Sequence, residues 1–234
     1  MAKKKQIAQQ QEHDIIEESN EKLTGFVENI EYFLERYYKI ILGVVAGIVL
    51  LIAGYWAYNS LIKKPKEAKA KDAMIFAQQY FDMDSMQLAL NGDGTHLGLT
   101  SIIKQYGGTA AGNRAKFCAG IANLKLGKYA EAVKSLEDFS TSDELLNARK
   151  FGGIGDAYAE QKQMDKAIDN YKKAADAADN ELTAPSYLFR AALALEQKGS
   201  KKEALELYKK LFADYPNSQE GSIAEMYIAK LEAK

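Results

Sequence analysis

The sequence predicts an all-α chain: one N-terminal transmembrane helix followed by an α-solenoid of stacked helical hairpins. Three observations predict it. Residues 40–58 (IILGVVAGIVLLIAGYWAY) carry no charge. Ala, Lys, Glu and Leu are abundant beside only 3 prolines in 234 residues, so the chain favours helix and seldom interrupts it. A hairpin-sized pattern then recurs three times after residue 112, and a fixed period of this size is the mark of a repeat array.

Residues 1–39 form a head. Its first twelve (MAKKKQIAQQQE) are too polar to build a core and are expected to be disordered. Ile16, Leu23, Val27, Ile30, Leu34 and Tyr37 then fall on a helical spacing, so an amphipathic helix should run into the apolar segment.

Residues 40–58 form the span. As a helix they would be about 28 Å long, close to the roughly 30 Å of a bilayer's hydrocarbon layer. Their ten Ile, Leu and Val residues each favour insertion by about 0.3–0.6 kcal/mol near the centre. Tyr37 and Tyr38 at one end, with Tyr55, Trp56 and Tyr58 at the other, supply the interfacial aromatic belts. A buried helix of a soluble core does not stay apolar all round for five turns. A cleavable signal is not expected, because some forty polar residues precede the segment where a signal has a short basic start. The single cysteine, Cys118, lies sixty residues further on, so a lipoprotein signal is not expected.

The charge pattern leaves orientation open. Lys22, Arg36 and Lys39 flank the span on the head side, against Lys63, Lys64, Lys66, Lys69 and Lys71 beyond it. Five against three favours a cytoplasmic C-terminal side, yet long domains translocate largely regardless of charge, and Lys3, Lys4 and Lys5 add to the head. Within the span, Gly43 and Gly47 form a G-x-x-x-G pair, and Gly54 lies within about 40° of them on the helix wheel. Such a stripe admits a second transmembrane helix, from another copy or from a partner.

Residues 59–112 read as a linker and a degenerate helical pair. Pro65 should start a long helix through Ala73, Phe76, Ala77, Tyr80 and Phe81 towards Leu90. Asn91-Gly-Asp-Gly94 is a turn, a helix from about His96 to Tyr106 follows, and Gly107-Gly108 ends it.

Residues 113–217 carry the period. Gly127-Lys-Tyr-Ala-Glu-Ala132, with Leu136, returns as Lys162-Gln-Met-Asp-Lys-Ala167, with Tyr171, and as Gly199-Ser-Lys-Lys-Glu-Ala204, with Tyr208 and Pro216. The alanines are 35 and 37 residues apart (167 − 132; 204 − 167), near the roughly 34 of a tetratricopeptide repeat. The small residue lets two helices approach, and the larger one four places on fills the space between pairs. The glycine permits the left-handed backbone that ends the first helix. Gly120, Gly155 and Ala192 are the matching small residues of the first helices. Residues 218–234, with Ile223, Met226, Tyr227, Ile228 and Leu231 on helical spacing, should form a capping helix.

No constellation suggests catalysis, a cofactor or a metal. The two histidines are eighty-three residues apart, and Asp82, Asp84 and Asp93 lack the spacing of a calcium loop. Cys118 beside Phe117 and Ile121 reads as a small core residue. Lys plus Arg total 31 against 32 Asp plus Glu, a balance that offers no field for nucleic acid.

What remains is protein binding. The inner surface of such an array is lined by first-helix positions, which here are Arg114, Phe117, Ile121, Leu124 and Lys125, then Arg149, Gly152, Asp156 and Glu160, then Ser186, Phe189, Leu193 and Gln197. Phe117, Ile121, Lys125, Arg149, Asp156, Phe189 and Leu193 are the candidate binding residues, for an apolar peptide, a partner helix or a partly unfolded chain. The alternative is that some are buried under the preceding helices.

A short head, one span and a tetratricopeptide domain beginning almost at the membrane resemble the bacterial YfgM-like ancillary proteins of the Sec translocon. Residues 77–127 (AQQYFDMDSMQLALNGDGTHLGLTSIIKQYGGTAAGNRAKFCAGIANLKLG) carry the closer likeness. The resemblance implies a non-enzymatic scaffold or co-chaperone in the bacterial inner membrane, head in the cytoplasm and repeats outside it. Its implied partners are translocon subunits, a membrane-anchored prolyl-isomerase-like chaperone and exported clients. An adaptor for cell-envelope assembly or division, acting through oligomerisation of the span, is the competing expectation.

Overall fold

A left-handed residue ends the first helix of each hairpin in the array, and four such residues set its geometry. The structure, a computed structural model, describes residues 32–33, 35–40 and 42–233. The expected stripe from Ile16 to Ile30, and the tail of residues 1–12, lie outside the described residues. The chain forms two units, residues 1–62 and Lys63–Lys234.

In the first unit, α1 is helical over the described residues 35–40 and 42–58. Among the described residues one helix is long and apolar enough to cross a membrane, and its most apolar stretch has a mean hydropathy of 2.4 with none of it buried. Leu50, Leu51 and Trp56 are all more than two-thirds exposed. Such a surface makes the helix a candidate span.

The second unit is built of helices joined by short loops. Its elements are α2 (Lys64–Asp82), α3 (Met86–Asn91), α4 (Leu99–Tyr106), α5 (Ala110–Lys125), α6 (Tyr129–Glu137), α7 (Glu144–Glu160), α8 (Met164–Ala177), α9 (Ala184–Lys198), α10 (Lys201–Asp214) and α11 (Gln219–Glu232). The pairs α5–α6, α7–α8 and α9–α10 pack as hairpins, each also against the next, and α11 covers the last.

Asp84, Gly127, Lys162 and Gly199 hold φ of 58°, 72°, 62° and 89°. Each donates its N–H to the carbonyl three residues back, and the following residue donates to the carbonyl five back. At Asp84 these acceptors are Phe81 and Tyr80, and at Gly127 they are Leu124 and Asn123. The pattern satisfies carbonyls that a helix end leaves orphaned. Seven residues before each turn stands a small residue (Ala77, Gly120, Gly155, Ala192), and five after it a fully buried alanine (Ala89, Ala132, Ala167, Ala204).

The helix expected to run from Pro65 towards Leu90 therefore breaks. It ends at Asp82, and Asp84, which the sequence reading placed inside a helix, is a turn residue. The first hairpin is α2–α3, with α3 cut short at Asn91. Gly92 (φ 81°) leads the chain away, and one antiparallel bridge joins it to Leu97. A Cβ on Gly98 would lie 2.3 Å from the Gly92 nitrogen, so the close approach requires glycine. Asp93 organises this loop. It accepts from the N–H groups of Thr95 and His96 (2.8 and 2.6 Å) and from the Tyr80 hydroxyl (2.7 Å), and it lies 2.8 Å from His96 Nδ1. These bonds hold its carboxyl well below the usual carboxylate range, His96 foremost.

The cost of a side chain at a left-handed position is about 1–2 kcal/mol, partly offset by glycine's greater unfolded entropy. Lys162→Gly should therefore stabilise the protein by about 0.5–1 kcal/mol. The urea midpoint should rise with an unchanged slope, and a fall would contradict the shared turn geometry.

The buried apolar side chains form two clusters. One runs through α2–α7, from Ala70 to Ala157, and the other through α8–α11, from Ala167 to Ala224. Tyr158 packs against both. Glu67 joins α2 to α5 by accepting from the N–H groups of Ala110 and Ala111 (2.9 and 3.1 Å) at the start of α5, where a helix presents free donors and partial positive charge.

Candidate protein-binding cleft

The shared turn geometry puts equivalent first-helix positions in one row. Thirteen residues before the turn stand Lys71, Arg114, Arg149 and Ser186 (84, 127, 162 and 199, each less 13). Two adjoining clefts open along that row. One, of about 380 Å³, is lined by Glu67, Lys71, Met74 and Ile75; the other, of about 510 Å³, by Phe81, Phe117, Phe139, Leu146 and Arg149. Both share Gln78, Ala110 and Arg114.

The floor of the larger cleft is apolar. Phe117 is only 9% exposed and packs on Phe139, with ring centroids 5.1 Å apart. The exposed Arg149 guanidinium lies 5.7 Å from the centroid of the Phe117 ring, within cation–π reach and with N–H groups left to donate. Among the described residues, Lys71, Arg114 and Arg149 have no carboxylate oxygen within 4.0 Å. Glu67, the acidic residue on the lining, spends both oxygens on the α5 backbone.

The sequence-predicted residues divide. Phe117 and Arg149 meet in the cleft, though Phe117 is also a core residue. Ile121 is partly buried against the first cluster. Lys125 Nζ pairs with Asp84 Oδ1 at 2.6 Å, outside both clefts. Asp156 accepts from Arg190 (2.9 and 3.0 Å) and from the Tyr171 hydroxyl (2.8 Å), so its charge is met internally. Phe189 packs on Tyr208 and Tyr227, with centroids 5.8 and 5.5 Å away. Leu193 is half-buried. Lys71, Phe81, Phe139 and Leu146 were not among the predicted residues. Lys71 needed the turn at Asp84 to be recognised, and Phe139 belongs to a loop.

Cys118 is buried, at the edge of the larger cleft. Burial pushes its thiol up, against a smaller pull from Arg114, and its Sγ lies 3.6 Å from Gln78 Oε1. Among the described residues no three His, Cys, Asp or Glu side chains converge on a point that would hold a metal ion.

Two tyrosines at the positions that fill between pairs give the array a pH limit. Burial raises the Tyr171 and Tyr208 hydroxyls, and Asp156 and Glu196 raise them further. A group whose folded pKa lies above the unfolded value of about 10 contributes stability below pH 10 and loses it as pH rises beyond. The protein should therefore weaken above about pH 10, and Tyr171→Phe with Tyr208→Phe should flatten that decline. Denaturant melts at pH 8, 10 and 11 read the effect; equal slopes in both proteins would refute it.

In α1, a Cβ on Gly43, Gly47 or Gly54 would meet nothing within 4 Å among the described residues.

Comparison with known proteins agrees on architecture. The tetratricopeptide repeat profile matches residues 119–181, and a second profile of that repeat matches 186–218. No curated protein matches the chain by sequence. Among solved structures, a Podosopora anserina protein described as a kinesin light chain, with nearly identical TPR-like repeats, aligns with a TM-score of 0.53 at 15% identity. The alignment covers 70% of this chain and 86% of that one. A point variant of the same protein aligns equally well, over 85% of its length. At that identity the likeness concerns the fold. Tetratricopeptide arrays are protein–protein interaction scaffolds.

Proposed function

We propose that this chain is a non-enzymatic tetratricopeptide scaffold, anchored in a bacterial inner membrane by residues 40–58, that holds protein partners at the membrane surface. Residues 113–217 supply three repeats, 59–112 a degenerate first pair and 218–234 the cap. The observation that carries the reading is the pair of adjoining clefts along the first helices, where Arg114 and Arg149 border an apolar floor and Lys71 lines the neighbouring cleft. None of the three has a carboxylate oxygen within 4.0 Å among the described residues. A structural core has no use for unpaired charge at the rim of an aromatic ledge; a docking site does.

Resemblance to the YfgM-like group extends the proposal. The head stays in the cytoplasm, the array lies outside it, and the partners are Sec translocon subunits, a membrane-anchored prolyl-isomerase-like chaperone and exported clients. Pull-down of the detergent-solubilised full chain should recover those components. Recovery of the chain alone would reject the translocon assignment, and protease added outside spheroplasts should digest the array while sparing the head.

A second reading rests on Gly43, Gly47 and Gly54, which no described residue covers. In it the protein is an envelope-assembly or division adaptor that acts by oligomerising through its span. Gly43→Ile with Gly47→Ile should then abolish crosslinking between spans, whereas unchanged crosslinking would dismiss this reading.

A further inference from the structure

We infer that the cleft between α2, α5 and α7 takes an acidic polypeptide segment, its carboxylates on Lys71, Arg114 and Arg149 and an apolar side chain between them on the Phe117–Phe139 ledge. This rests on the scaffold reading and names the chemistry of what the scaffold holds.

Charge is the first ground. Three consecutive first helices present a cation at one repeat position, thirteen residues before their turns, and none has a carboxylate within 4.0 Å among the described residues. The nearby acids are committed elsewhere: Glu67 to the α5 backbone, Asp82 to Gln78 at 2.7 Å, and Asp84 to Lys125. The strip stops at α7. The next first helix has Ser186 at that position, and its Arg190 is neutralised by Asp156.

Geometry is the second ground. Packed helices stand about 8–10 Å apart, so successive cations recur at roughly that interval. An extended segment in the polyproline II conformation rises about 3.1 Å per residue and turns once every three residues, which brings every third side chain onto one face at about 9 Å intervals. The segment that fits therefore carries Glu or Asp at intervals of three. Preorganisation is the third. Arg149 already sits over Phe117 within cation–π reach, so part of its side-chain freedom is spent before it forks a carboxylate.

The test uses the full chain in detergent and an eleven-residue fluorescein-labelled peptide, blocked at both ends, with Glu at every third position and Leu or Phe between. Fluorescence anisotropy should show salt-sensitive binding that weakens roughly tenfold for each Glu changed to Gln. Bunching the same glutamates together should weaken it as well. Arg114→Gln with Arg149→Gln should cost about 100-fold for the Glu peptide and nothing for its Gln counterpart, while Arg114→Lys with Arg149→Lys recovers part of the loss. Circular dichroism checks that helicity is kept; should it fall, the exposed Lys71→Gln carries the same test at about tenfold.

Equal binding of Glu and Gln peptides, or full binding by the double variant, would overturn the proposal. Charge-independent capture of partners would leave the scaffold standing without an acidic ligand. Charge-dependent peptide binding with no partner captured from membranes would leave the cleft chemistry and remove the translocon assignment.

Discussion

Gly155→Val should break the stacking of the central hairpin. A Cβ on Gly155 would lie 2.7 Å from both Cδ1 and Cε1 of Tyr171, closer than carbon atoms approach without displacement. Tyr171 cannot swing away, because it is buried and its hydroxyl is tied to Asp156. The clash of a branched side chain there should cost about 3 kcal/mol, reduced by less than about 1 kcal/mol for the glycine removed from a helix interior. In a domain of this size that lowers Tm by roughly 6–10 °C. Because repeats touch only their neighbours, the loss should begin in α7 and α8. Hydrogen exchange would show it as lost protection over 144–177, and Tyr171→Leu in the same chain should restore much of it. A variant that melts with the parent would mean the two helices are not held at this distance.

The same contact shows how much of the fold was legible. Gly120 faces Leu136, with a Cβ 2.5 Å from Cγ, and Ala192 is the equivalent of these glycines opposite Tyr208. Small residue, turn, alanine and filler repeat at fixed offsets, and those offsets are readable without coordinates. The first hairpin obeys the same offsets with Ala77, Asp84 and Ala89. It escaped notice because aspartate stands where glycine signals a left-handed residue, and because α3 ends before any filler position. Its apolar pattern continued through the turn, so periodicity alone read one long helix.

The cleft was less legible for a different reason. Candidate positions were taken from one face of each first helix, but whether a side chain on that face is free depends on its neighbours across the stack. Asp156 is answered by Arg190, thirty-four residues later, and Lys125 by Asp84, forty-one residues earlier. Phe117 meets Phe139, which arrives from the loop after α6. No local spacing encodes these meetings. Composition did encode the exposed apolar surface of α1, since an uncharged run of that length leaves no polar face to turn towards water.

Tyr208→Ala should detach the end of the array. Tyr208 is fully buried, stacks on Tyr227 with centroids 5.0 Å apart, touches Phe189, and donates to Glu196 Oε2 at 3.1 Å. Removing the ring empties a cavity shared by α9, α10 and α11, at a cost of about 3–5 kcal/mol. It also withdraws the donor from Glu196, leaving that carboxylate to Lys230 Nζ at 3.7 Å. Tyr208→Phe keeps the ring and should cost only about 0.5–1.5 kcal/mol. Since Tyr208 belongs to the cluster of α8–α11 and the cleft to that of α2–α7, the alanine variant should lose exchange protection in α9–α11 alone. Binding at Arg114 and Arg149 should persist. If protection falls equally in α2–α5, the two clusters unfold as one and the array is not a stack of separable neighbours.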